Sequence, residues 1–318
     1  VTSVNGTPRT VTDTLNVVSL LISRRGAGVW TNLPSLTFEF LRNVPGPASV
    51  LWLDFGLRYE MLNHFRIQPI HFPHKSTLPG LAGQVRMDGV IRADDIVAYD
   101  QLLASTGHTL LPSSKQTYDN IVLDLAKQQK RAYLIPVQLA QSGGGIAFPN
   151  LKVDELESAV GSILDSVKPT HTVFTCEGQP EAGLFSEKLA DDKILQWCLD
   201  HCTKIVCMIR HDSEQRFQDG IAIPSVLSRN PVWRSRLRLL LTRATRSPRI
   251  PAQFLDMVIG HLPFAEFVGE SVSNGRIPLI DLLAKGSQES LSDTEQEYVT
   301  CVSNVSHKLF QSAYEKVG

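Results

Sequence analysis

The chain has 318 residues, 42% apolar and 20% charged, with a formal net charge of −1. That balance excludes a disordered chain, which combines few apolar residues with high net charge. No apolar run approaches the roughly 18 residues of a membrane-spanning helix, and the length suits one large domain or two modest ones.

Residues 13–24 (DTLNVVSLLISR) read as an apolar helix stopped by Gly26 and Gly28. Residues 34–43 read as a short second helix, ended by Pro45-Gly46-Pro47. Ser49 to Phe55 is a continuous apolar run of strand length, the pattern of a strand covered on both faces. A weaker strand is expected at 66–72, loop at 73–90 and a helix at 94–104. The middle is more regular. Helical periodicity over 117–130 precedes a strand at 132–140. A helix over 153–168 precedes a strand at 171–176, and a helix over 186–202 precedes a strand at 203–209. Helix followed by strand, three times over, argues for parallel strands with helical crossovers. The expected fold is therefore α/β, a mostly parallel, doubly wound, Rossmann-like sheet with a C-terminal helical layer or subdomain. Strands are expected to stop near 225, with helices at 230–246, 251–260, 262–269 and 277–285. A capping box at Ser292 and Glu295 opens the last helix. The expected division is an N-terminal helical segment (1–48), a sheet domain (49–225) and a helical region (226–318).

Ligands of open parallel sheets bind beyond the carboxyl ends of the strands. That rule picks out Asp54, Ser142, Glu177, His211 and Asp212 as candidate catalytic groups, with His211 as acid or base near neutral pH. Asp54-Phe55-Gly56 resembles the first loop of Rossmann-type nucleotide and methyl-donor sites. It has only one glycine, and His71 and His74 stand where the usual acid would be. Ala140-Gln141-Ser142-Gly143-Gly144 approximates a nucleophile elbow, but loop residues follow it and a flexible glycine loop is the plainer reading. No G-x-x-x-x-G-K-[ST] motif is present, which disfavours a Walker-type NTPase. Cys198, His201, Cys202, Cys207 and His211 fall within a short stretch, but on elements too different to share a tetrahedron. No metal is assigned and no cofactor is identified.

Charge is unevenly spread. Residues 151–200 hold ten Asp/Glu against four Lys, whereas residues 221–250 hold seven Arg and no acid. Those arginines (Arg229, Arg234, Arg236, Arg238, Arg243, Arg246 and Arg249) are expected on one helix, fanned around a Trp233/Leu237/Leu240/Leu241 stripe. Guanidinium groups suit phosphate. The leading expectation is a binding and assembly protein that contacts RNA, another polyanion or an acidic partner, as a component of a nucleoprotein or virus particle. The alternatives are a nucleotide- or S-adenosylmethionine-dependent transferase and a purely structural oligomer subunit. Protein partners or self-association are expected. Five cysteines form no disulfide framework, and residues 1–12 show no secretory signal. A reducing, intracellular setting is expected, with the particle as one location.

Overall fold

A computed structural model of the chain describes residues 18–24, 26–55, 70–72, 97–98, 121, 124–125, 127–139, 153, 157, 160–161, 164, 168–179, 182–244, 250–273, 276–287 and 289–311. Val18–Arg24 is a strand, β1, and not the end of a helix. Its residues alternate between two apolar layers. Val18, Leu20 and Ile22 face one, and Leu21 faces the other. A strand buried on both faces carries no polar alternation, so its sequence cannot be told from a buried helix by period alone.

After β1 come α1 (Val29–Asn43), β2 (Ala48–Asp54), β3 (Ile70–Phe72), β4 (Val97–Ala98) and β5 (Lys130–Leu139). Next are β6 (His171–Gln179), α2 (Ala182–Asp191), α3 (Lys193–His201), β7 (Lys204–Arg210), α4 (Glu214–Leu227) and α5 (Pro231–Arg236). β8 (Leu237–Ala244), a 3-10 turn (Ala252–Met257) and β9 (Val258–Pro263) follow, then α6 (Glu266–Ser273), α7 (Pro278–Gly286) and α8 (Asp293–Phe310). The strands form one sheet in the order β3-β5-β2-β6-β1-β7-β8-β9, with β4 beside β5. Every pairing is parallel except β4 with β5.

Both faces of the sheet are covered by helices, so the doubly wound architecture is present. On one face Leu20, Phe174, Ile205 and Ile209 pack with Phe185 of α2, Trp197 of α3 and Phe217 of α4. On the other, Leu21, Trp52, Val206 and Leu240 pack with Leu36 of α1, Leu279 of α7 and Tyr298 of α8. Helices α6 to α8 supply the C-terminal helical layer. The Ser292–Glu295 capping box forms: Ser292 N–H donates to Glu295 Oε2 at 2.8 Å, and Glu295 N–H donates to Ser292 Oγ at 3.4 Å.

Several expected elements differ. The strands continue past 225, because Leu237–Ala244 and Val258–Pro263 extend the sheet. Within β8, Leu237, Leu239 and Leu241 face one layer and Leu240 the other, and leucine on both faces imitates a helical stripe. The helix expected over 186–202 is two helices. Asp192 divides them and caps α3 by accepting the Leu195 N–H at 2.9 Å. The helix expected at 94–104 holds strand at Val97–Ala98, and its other residues lie outside those described, as does 73–90.

The amino edge of the sheet is tied to the end of α8. Lys204 Nζ donates to the carbonyls of Lys308, Leu309 and Gln311 at 2.6, 3.1 and 3.0 Å. Beside it, the His171 ring stands edge-on to Phe40 at 4.5 Å and to Phe310 at 6.1 Å. Burial pushes His171 down to about 4; the Lys204 charge adds to this, and a hydrogen bond with the Phe310 backbone opposes it. Between pH 6.5 and 4 the unfolded chain therefore binds a proton that the folded chain does not. Stability is expected to fall as pH drops through that window, by up to about 3 kcal/mol. Urea unfolding at several pH values checks this, with His171→Phe expected to flatten the profile.

A second expectation concerns Gly220 of α4, where a Cβ would lie 2.6 Å from Ile209 Cγ2 on β7. Alanine gains up to about 1 kcal/mol of helix propensity, but the overlap with a stiff, buried β-branched side chain costs about 1–3 kcal/mol. Gly220→Ala is expected to lower the urea midpoint.

Candidate functional site

The chain leaves the middle of the sheet at Arg24 and enters α1 within a few residues. Gly26 and Gly28 both have positive φ, 78° and 79°. That conformation strains any residue with a Cβ. Gly28 is the N-cap of α1, and no side chain caps the helix there. The first-turn N–H groups and the positive end of the helix dipole therefore face the carboxyl edge of the sheet. Asn32 folds back on the turn, its Nδ2 donating to the Gly28 carbonyl at 2.8 Å. Buried Thr242, near the end of β8, donates from Oγ1 to the Ala27 carbonyl at 2.6 Å and pins the loop to the sheet.

Cavities lie on both sides of this loop. One, of about 280 Å³, is lined by Thr31 and Asn32 of α1, Arg243 of β8, and Phe264, Glu266 and Val268 beyond β9. Arg243 has a φ of 52°. Its guanidinium sits over the Phe264 ring, 5.8 Å from the centroid. The other cavity, of about 240 Å³, is lined by Arg24, Ala27, Gln179, Arg210, Arg216 and Asp219. Arg24 Nη1 pairs with Asp219 at 3.2 Å. Arg210 holds Asp212 through both Nε and Nη2. Burial raises the Asp212 carboxyl, but its bond to Arg210 and the charges of Arg210 and Arg243 outweigh that and hold it below the usual carboxylate range. Four arginines meet three carboxylates (Asp212, Asp219 and Glu266) around the two cavities, which leaves an excess of positive charge.

The expected catalytic groups are only partly brought together. Asp54 ends β2, and Glu177 lies near the end of β6, in register with Ser23 of β1. His211 and Asp212 follow β7. From β2 to β7 is three strand spacings, roughly 14 Å, so Asp54 stands apart from the His211 pair. His211 Nδ1 is buried with no hydrogen-bond partner among the described residues, and its ring meets Phe217 edge-on at 5.2 Å. Ser142 lies outside the described residues. So does Gly56, and the glycine turn at the sheet's centre follows β1 rather than β2. Cys198, Cys202 and Cys207 are buried in the apolar layer that holds Trp197, where burial pushes their thiols up. His201 stacks on Trp197 at 4.5 Å, whereas His211 is at the opposite end of β7.

The arginine series is split. α5 spans only Pro231–Arg236, and the next residues are buried sheet. Arg229 and Arg234 are exposed at the amino edge. Arg236 donates to the carbonyls of Asp200 and Cys202, and Arg238 to those of Ser235 and Leu237. Arg243 is at the carboxyl edge, while Arg246 and Arg249 lie outside the described residues.

No protein-family model and no curated protein sequence matches the chain. Solved structures do. The chain is similar to the MinD cell division protein of Aquifex aeolicus, at 11% identity and a TM-score of 0.53, over 95% of this chain and 98% of that one. It is also similar to the MinC:MinD cell division complex of that organism (12%, 0.49, 95% and 97%). A ParA family ATPase from Chlorobium tepidum TLS matches at 12% and 0.44, over 92% and 98%.

The fold is that of MinD. This corrects the leading expectation: the described arginines are divided between the two edges of a MinD-type sheet, so the single basic helix on which an RNA-contacting particle component was to be built is not present there.

The residues between β1 and α1 depart from the strand–G-x-x-x-x-G-K-[ST]–helix type of phosphate-binding loop. Aligned on Thr31, the two glycines become Arg24 and Val29, and the lysine becomes Trp30. Only the hydroxyl is kept. The backbone turn and uncapped helix fit an anion, but the side chains do not fit a magnesium–triphosphate centre. Gly26-Ala27-Gly28 was the signal for this site in the sequence, hidden because β1 resembles a helix and its glycines then read as a stop.

Thr242→Val keeps the shape of the side chain but leaves the Ala27 carbonyl without its donor. The expected loss is about 1–3 kcal/mol, read from urea midpoints.

Proposed function

We propose that this chain binds a nucleoside phosphate at the β1–α1 loop without hydrolysing it, as a P-loop-type NTPase scaffold that works by occupancy. The observation that carries the reading is the turn itself. Two positive-φ glycines lead from the central strand into a helix whose N-terminus no side chain caps, a ready site for phosphate. The likeness to MinD supports the fold on which such a turn sits. Thr31 and the helix N–H groups are suited to the phosphate, and Arg243 supplies the charge that the missing lysine does not. Phe264 and Val268 give the 280 Å³ cavity an apolar wall for a base. With Trp30 in the lysine position, the loop itself offers no cation to a transferring phosphoryl group, and Arg243 comes from the neighbouring strand, where it holds the ligand. Occupancy without turnover is useful where it alters a contact, so the proposal includes a protein partner.

Fluorescence anisotropy with labelled ADP and ATP, run beside a phosphate-release assay, tests this reading. Saturable binding is expected, weakened tenfold or more by Arg243→Ala, with phosphate release at background. Failure of ADP, ATP and inorganic phosphate all to bind overturns the site. ATP turnover that disappears in Arg243→Ala overturns the non-hydrolytic assignment.

A further inference from the structure

Helix α8 lies close against the outermost described strand, β9. Gly260 makes this approach feasible: a Cβ there would lie 2.7 Å from Val305 Cγ2 of α8. The next residue on the strand is His261. One and two helical turns before Val305 stand Cys301 and Glu297, which share a face of α8 at i, i+4 spacing. The Cys301 sulfur is 3.6 Å from His261 Nε2, and Glu297 Oε1 is 4.0 Å from the same nitrogen. One ligand atom from each of the three residues lies within 4.8 Å of the other two.

Two readings of such a trio differ in geometry. In a cysteine–histidine–carboxylate relay the two imidazole nitrogens are used separately, one toward the nucleophile and one toward the acid. Here both neighbours converge on Nε2, as ligands converge on an ion. We propose that His261, Glu297 and Cys301 form a zinc-class divalent metal site with a fourth position open to water. Bonds of about 2.3 Å to sulfur and 2.0 Å to nitrogen in a tetrahedron place those two atoms about 3.5 Å apart, close to the observed separation. The carboxylate, at 4.0 Å, must close to the roughly 3.3 Å that two bonds of about 2.0 Å subtend in a tetrahedron, which an exposed side chain makes by rotation. Nitrogen, oxygen and sulfur together favour zinc or cobalt over magnesium or calcium. The ion would clamp the last helix to the edge of the sheet.

Cobalt(II) titration of the full, reduced chain tests the site through the thiolate-to-cobalt charge-transfer band. Among the five cysteines only Cys301 is not buried, so a band from the folded protein reports this position. One equivalent of cobalt is expected to produce the band and zinc to abolish it. Cys301→Ser is expected to remove the band, and His261→Ala to weaken cobalt binding tenfold or more. Zinc is expected to raise the melting temperature of the parent chain but not of His261→Ala. His261 is exposed, so that variant is expected to fold, with circular dichroism as the check. A parent chain without the band, or a band that survives in Cys301→Ser, overturns the assignment.

Discussion

Strand β1 is the constraint on which the arrangement depends. It is buried on both faces and paired on both edges, with β6 on one side and β7 on the other. A parallel strand with two parallel neighbours sends all three carboxyl ends to the same edge of the sheet. The polar groups at the centre of that edge follow from this alignment: Glu177 and Gln179 from β6, Arg24 from β1, and Arg210 and Asp212 at and after β7. The turn into α1 lies in their midst because the chain must cross β6 before it forms β2. Local tethers then keep the edge ordered. Thr242 holds the Ala27 carbonyl there, while at the opposite, amino edge Ser19 Oγ donates to the Leu309 carbonyl at 3.2 Å.

What the sequence reveals depends on how an element is buried. β2, β6 and β7 stand out because each apolar run is short and bounded by turn residues. The last helix stands out because a capping box and a one-sided stripe agree. β1 and β8 do not, although they are as well buried as the others. VSLLIS and LRLLL carry apolar residues on both faces, and such runs satisfy a helical template as readily as a strand. Mistaking β1 removed the central strand from the expected sheet. It also turned Gly26 and Gly28 from a ligand turn into punctuation.

The arginines show a different limit. Their number and the absence of nearby acid are facts of composition, and they say nothing about direction. A change from α5 to β8 at Leu237 sends successive guanidinium groups to different places. Arg236 is consumed by backbone carbonyls at one edge of the sheet, while Arg243 reaches a cavity at the other. A charge cluster in sequence becomes a surface only if one regular element carries it. The Rossmann-like loop expected at Asp54 runs into residues outside those described; the apolar strand before it is real, and the glycine turn at the sheet's centre departs from β1 instead.

The distribution of sulfur has a practical side. Cys176, Cys198, Cys202 and Cys207 all lie in the layer between the sheet and helices α2 to α4, and none lies in the layer under α1, α7 and α8. An alkylating reagent reaches those four thiols only when that layer parts from the sheet. Their labelling rate, followed by mass spectrometry, is therefore a clock for the opening of one side of the molecule alone.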